Sequence, residues 1–247
     1  QACRCKGLGW HLMTAVEYEY LLNQSREKDT MPHGNTDWGK DYYHNDEQGK
    51  VSNLGRTYTG TGPVTWNHDH TPYGVSDLNG NVWEWLAGLR IKDGVIEFIP
   101  GNKAASPYCD LSKDSTEWQQ AETSKGPVRA NVECGEITIT DAVAADDYTP
   151  DYDGVRIEEL EVKLSEIPQV LKDLGIIPDK RAEEEGKTYV YFDATEGEYL
   201  PVRGTAFHHT SGSGPSALDL VDPRSNSYDS VGFRSAFYEV NGKLITE

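Results

Sequence analysis

Apolar residues in this chain come in short bursts, separated by long polar runs rich in Gly, Asn, Asp, Tyr and Trp. In TAVEYEYLLNQ (14–24), Tyr18, Leu21 and Leu22 recur at the spacing of one helix face. Thr14 followed by Glu17 is the pairing in which a hydroxyl and a carboxylate satisfy each other's backbone N–H, so the helix is predicted to start there. Residues 29–63 carry turn formers and rings with no sustained period, and predict an ordered loop system held by aromatic packing. GLRIKDGVIEFIPG (88–101) reads as a hairpin: Asp93-Gly94 suits the turn, and Ile91, Val95, Ile96, Phe98 and Ile99 are strand formers. SEIPQVLKDLGIIP (165–178) predicts a second helix, with Ser165 as cap, Val170, Leu171 and Leu174 as stripe and Gly175 as stop. TYVYFDA (188–194) predicts a strand, and VGFRSAFYEVNGKLIT (231–246) a strand and a terminal hairpin around Asn241-Gly242. Residues 103–160 are acidic, punctuated by Gly and Pro, and carry no clear period.

Charge narrows the partners. Lys plus Arg number 23 and Asp plus Glu 41, for a net charge of −18. Phosphate backbones and anionic membranes need a basic patch, so no nucleic acid and no membrane partner is expected. No apolar run approaches a membrane span. The run RAEEEGK (181–187) reads as a solvated face. The start, QACRCKGLGW, reads as that of a processed chain or an excised piece. Cys3, Cys5, Cys109 and Cys134 are too few and too scattered for a disulfide scaffold, and free thiols are expected. The 247 residues fit one large domain.

Two stretches carry candidate chemistry. DLNGNVWEW (77–85) joins a polar turn to two indoles that share one strand face, with Trp83 and Trp85 expected to pack in the core. The stretch 204–230 packs Ser, Thr, Asp, His, Asn, Tyr and Gly beside an apolar strand, as a binding loop on a rigid support does. Inside it, Ala217, Leu218 and Leu220 read as inward anchors, and Asp219, Val221 and Asp222 as outward contacts. His208 and His209 are adjacent, so they are expected to point apart and to act as contacts. His68 and His70 in NHDHT have no third ligand in view and read as a polar loop pair. Arg203 and Arg234 are expected to be buried structural cations.

TPYGVSDLNGNVWEWLAG (71–88), LPVRGTAF (200–207) and VGFRSAF (231–237), in that order, resemble the formylglycine-generating-enzyme type of C-type lectin fold. The resemblance covers the front half and the last fifty residues, and leaves 103–187 as an insertion. It implies a single α/β (α+β) C-type-lectin-like domain over 1–247, with short twisted strands, two helices and extensive ordered loops. It also implies a possible structural calcium on Asn79, Gly80, Val82 and Glu84; the other reading of these residues is a turn with Glu84 capping loop amides. The oxidase of this superfamily uses two cysteines between its RG and GFR motifs, and 204–230 contains none. SALDLVDPRSNSYDSVGFR (216–234) instead resembles the variable proteins of diversity-generating retroelements, which use this fold to display a changeable surface.

That resemblance implies a binder that needs no catalytic cofactor, with a variable ligand-binding region over 203–234. Its contact residues would be His208, His209, Gly212, Ser216, Asp219, Val221, Asp222, Tyr228, Asp229 and Ser230. Its structural core would include Trp83, Trp85, Arg203, Phe207, Phe233 and Arg234. The implied partner is a cell-surface protein or glycan, met at a phage tail tip or an extracellular surface, with assembly into a larger homo-oligomer. The alternatives are a formylglycine-generating-type oxidase or diverged enzyme of the same fold, and a conventional calcium-dependent lectin.

Overall fold

The computed structural model describes residues 2–238 apart from residues 53 and 146. Strand β1 (Trp10–Leu12) leads into helix α1 (Ala15–Lys28), and a long loop then reaches β2 (Trp83–Trp85) and the hairpin β3 (Leu89–Lys92) and β4 (Val95–Phe98). Three two-residue strands, β5 (Gln119–Gln120), β6 (Glu122–Thr123) and β7 (Gly126–Pro127), precede a second hairpin, β8 (Arg129–Glu133) and β9 (Glu136–Thr140). There follow β10 (Tyr152–Arg156), β11 (Glu161–Lys163) and α2 (Gln169–Asp173). The chain closes with β12 (Tyr189–Asp193), β13 (Glu198–Arg203), β14 (Leu218–Asp222), β15 (Val231–Phe233) and β16 (Ser235–Phe237). Most of these strands join one twelve-stranded sheet, so the fold is α+β with few helices.

Local chemistry explains the elements. Thr14 accepts from Glu17 N at 3.1 Å and Glu17 returns the bond to Thr14 N at 3.0 Å, as the capping pair predicts. The helix runs to Lys28, past the expected end at 24, because Ser25 and Arg26 are buried rather than solvated. The predicted hairpin forms with Asp93 and Gly94 both at positive φ, 51° and 77°, the pattern of a type I′ turn. The second helix departs from expectation. Ser165 does not cap it; Ser165 gives its N–H and hydroxyl to Asp141, and α2 starts only after Pro168. The hairpin expected at Asn241-Gly242 lies outside the described residues. All four cysteines are free, with Cys109 buried and Cys134 exposed.

Strand β13 organises the sheet. One edge pairs β14; the other pairs β3 through Glu198 and Tyr199, then β2 through Val202 and Arg203. Pro201, which has no N–H to give, stands between the two partners, where the register also shifts. The apolar core is continuous from Tyr18 and Leu22 on α1, through Ile91, Ile96, Phe192, Leu218 and Leu220, to residues of 103–187 such as Val132, Ile137, Ile139, Leu171 and Leu174.

One polar cluster crosses this core. Arg26 grips Glu185 through Nε at 3.1 Å and Nη2 at 2.8 Å, and also bonds Glu19 and, at 3.2 Å, Ser216. Arg203 reaches Glu19 at 3.4 Å and the Leu174 carbonyl at 3.3 Å, with its guanidinium over the Tyr18 ring. Glu19, Arg26, Glu185, Arg203 and Ser216 are all at most 5% exposed. RAEEEGK is therefore not a solvated face throughout: burial alone would push the Glu185 carboxyl up, yet the Arg26 bonds and charge hold it below its ordinary value. Ser216, expected as a surface contact, sits inside this cluster because its hydroxyl completes the Arg26–Glu185 pair. At Gly175 (φ 71°) a Cβ would come within 2.0 Å of the Glu19 carboxylate, so only glycine passes there.

Removing one partner of a buried ion pair strands the other charge, which costs about 3–5 kcal/mol. Glu185→Gln is expected to lose stability on that scale in urea denaturation, far beyond an exposed Glu→Gln change.

Candidate functional site

Residues paired directly across strands project to the same side of a sheet. The registers Phe233↔Trp85, Trp85↔Val202, Val202↔Asp219 and Asp219↔Tyr191 therefore set one row on a single sheet face across β15, β2, β13, β14 and β12, exposed at Phe233 and buried at Val202, which packs with Phe207 and Ala217. Trp83 and Val231, also paired, lie on the same face one step along. Tyr191 extends the row across β10, where Gly154 faces it; a Cβ on Gly154 would stand 2.2 Å from the ring, so glycine lets the tyrosine lie flat. Tyr189, two residues away, stacks on Tyr191 at 5.9 Å.

Loops complete the face. Phe207 is buried beside Trp83, Val202 and Ala217. Trp38, 59% exposed, meets Phe207 edge-on at 5.0 Å and is anchored by its N–H to the Phe207 carbonyl at 2.7 Å. His208 packs on Phe207 at 4.7 Å, and His209 meets Trp83 edge-on at 5.3 Å. Arg56 donates to the Asp229 carbonyl at 2.6 Å, which ties the 228–230 loop to the same side.

The face carries little charge. Burial pushes the Asp219 carboxyl up to about 7, against the pull of its bond from Val221 N. Burial, with His208 alongside, brings His209 down to about 4, so its ring is neutral at physiological pH. The result is rings and hydroxyls on a sheet, with the Asp219 carboxyl partly protonated near neutrality and the exposed Asp229 carboxylate at the border. Such a surface offers stacking and adaptable hydrogen bonds.

The expected contacts divide. His208, Tyr228 and Asp229 are exposed, His209, Gly212 and Ser230 half-buried, and Asp219 and Val221 point outward from β14. Asp222 does not: it alternates inward with Leu218 and Leu220, is buried, and bonds Asn226. Ser216 is in the core, as described. His208 and His209 do not point apart, because a turn rather than an extended chain holds their rings 4.8 Å from each other. Trp83 and Phe207 are buried as expected, but Trp85 is only half-buried and Phe233, on short β15, is 54% exposed, so Phe233 belongs to the face rather than the core. Sequence reasoning missed Trp38, Tyr189 and Tyr191; the Tyr-Val-Tyr-Phe alternation of β12 was the available signal for the two tyrosines.

Behind the row, Glu84 faces the other way. Both its oxygens accept from Arg234, at 2.9 and 2.7 Å, and Arg203 lies opposite it on β13. Calcium wants six to eight oxygens and negative charge. Here a guanidinium already neutralises the one carboxylate of the Asn79, Gly80, Val82 and Glu84 set, which leaves Asn79 Oδ1 as its one side-chain oxygen without a partner. These donors do not fit a calcium ion. The knot of this turn is Asn81, whose amide exchanges bonds with the Thr57 backbone at 2.8 and 3.1 Å. His68 and His70 share no metal either: His68 accepts from Val75 N, and His70 faces the Met31 carbonyl.

Residues 2–129, just over half the chain, match the sulfatase-modifying factor enzyme 1-like domain, and the chain belongs to that family. The match takes in α1, the ring-rich loops, the Trp-Glu-Trp strand and the first hairpin, and stops short of the 207–209 and 228–230 loops. No curated protein matches the chain.

A carboxyl whose folded pKa lies above its unfolded value of about 4 stabilises the fold below that pH, and the benefit is lost as pH rises to the folded value. Asp219, at about 7, should therefore weaken the wild type progressively between those limits. Asp219→Asn is expected to gain on the wild type in melting temperature from pH 4 to pH 8; His209 acts in the opposite sense but equally in both proteins. A pH-independent difference would contradict the assignment. Chelator is expected to leave both melting curves unmoved.

Proposed function

We propose that the protein is a ligand-binding display protein with a C-type-lectin-like scaffold, the variable protein of a diversity-generating retroelement. The observation that carries the reading is the row from Phe233 to Tyr191, bordered by the 207–209 and 228–230 loops. Its exposed positions, such as His208, Tyr228 and Asp229, can change without touching the buried cluster of Trp83, Val202, Phe207 and Ala217 that holds the face. Its ligand is a cell-surface protein or glycan, and its setting a phage tail tip or another extracellular surface. It acts by binding rather than by catalysis, without a required cofactor, and by assembling into a homo-oligomer it would gain avidity.

The oxidase reading has one specific point for it, the family itself. Against it stands the make-up of 204–230, which offers histidines, serines and three aspartates but no thiol for the two-cysteine chemistry. A calcium-dependent lectin is disfavoured by the Glu84–Arg234 pair.

Comparing sibling copies of the coding region tests the proposal, with a sharper expectation than sequence alone allows. Differences are expected at His208, Asp219, Val221, Tyr228 and Asp229, and not at Ser216 or Asp222. Differences spread evenly over the chain would sink the reading, as would copper-dependent oxidation of a cysteine peptide by the purified protein.

A further inference from the structure

The 31–44 loop and the 185–215 segment enclose a cleft of about 370 Å³, within the size range of small-molecule sites, which shares no lining residue with the aromatic row. Two of its polar atoms are unspent. Asn79 is only 7% exposed, and its Oδ1 has no hydrogen-bond partner. The buried Oγ of Ser213 has none either. Buried polar atoms without partners are rare in folded proteins and each calls for a reason.

The opposite wall is a pair of imidazoles, His33 and His44, stacked face to face at 3.7 Å. Nδ1 of His33 faces the Glu47 carboxylate at 2.9 Å, and the indole N–H of buried Trp66 fixes that carboxylate at 3.1 Å. Nδ1 of His44 faces Asp41 at 3.2 Å. A carboxylate at Nδ1 favours the tautomer with the proton on that nitrogen, whose Nε2 accepts. Among the described residues, neither Nε2 has a partner.

The chemistry of the occupant follows by elimination. Asp41 is already satisfied by the N–H groups of Gly34, Tyr43 and His44, and Glu185 by Arg26, so no bare anion faces the cleft. Lys187 lines it and disfavours a cation. An anion is opposed by the acceptors Asn79 Oδ1 and the two Nε2 atoms. A neutral molecule whose hydroxyls both donate and accept suits every one of these groups, and Met31, Pro32 and Pro215 offer apolar surface to its C–H face.

We infer that this cleft is a second binding site, for a sugar ring: hydroxyls donate to Asn79 Oδ1 and the His33–His44 wall and accept from Ser213 and Lys187. The inference is independent of the ligand face and would stand if that reading fell.

The test is titration of the purified protein with glucose, galactose, mannose and N-acetylglucosamine, following the imidazole NMR signals of His33 and His44. Saturable shifts with at least one sugar are expected, with Kd of about 1–10 mM for a site of so few bonds. Ser213→Ala removes a hydroxyl that bonds nothing in the fold, so the protein stays folded while affinity falls about fivefold, the effect of one hydrogen bond. Tyr73→Ser, at a fully exposed ring, leaves affinity unchanged. No saturable shift with any of the four sugars, unchanged affinity in Ser213→Ala, or equal binding of methylammonium or acetate would overturn the inference.

Discussion

Arg26 is the side chain on which the rest of the molecule leans. A guanidinium can be buried only if its donors are matched by anions and carbonyls at fixed positions. Its partners here come from its own helix, from the 181–187 segment and from the loop just before β14, through Glu19, Glu185 and Ser216. Arg203 doubles the constraint from the sheet side and brings in the end of α2. Elements scattered from residue 19 to residue 216 are thus held to one geometry by a few charges, none of which can move without stranding another. The apolar core around them supplies most of the folding free energy, but it is tolerant of shape, whereas this cluster is not.

The row of the contact face is a consequence. β13 carries Arg203 to one side of the sheet and Val202 into the apolar cluster on the other, so fixing the first fixes the second, and through strand pairing the row from Phe233 to Tyr191. Glu84 and Arg234 repeat the arrangement one strand over, with Trp85 and Phe233 on the opposite face. Polar chemistry that specifies the scaffold lies beneath the sheet, and rings and hydroxyls suited to contact lie above it. That separation is what a binding surface of changeable sequence requires, and it explains why the carboxylate of the Asn-Gly-Asn-Val-Trp-Glu-Trp signature serves structure rather than a ligand.

Much of this was legible in the sequence wherever the determinant was local. The Thr14–Glu17 cap, the Asp93-Gly94 turn and the strand at 189–193 depend on neighbours a few residues apart, and all form. The motif order also pointed to the family that residues 2–129 match. Sequence misled where the partner was distant. Glu185 read as part of a solvated run because nothing nearby shows that it meets Arg26, and Ser165 read as a cap because Asp141 lies twenty-four residues back. The strict alternation of β14 put Asp222 inside, against its polarity, and exposed Phe233 broke the same rule in the other direction. Tyr189 and Tyr191 shared a face in the alternation of β12, but that they and Trp38 border one surface depends on sheet register and loop closure.

The central claim is that the contact surface and the scaffold are energetically separate. A single protein carrying alanine at His208, Asp219, Val221, Tyr228 and Asp229 tests it most directly, by melting temperature. The account predicts a cooperative melt within about 5 °C of the wild type, a shift worth on the order of 1–2 kcal/mol for a domain of this size. Loss of the cooperative transition, or a much larger drop, would contradict it.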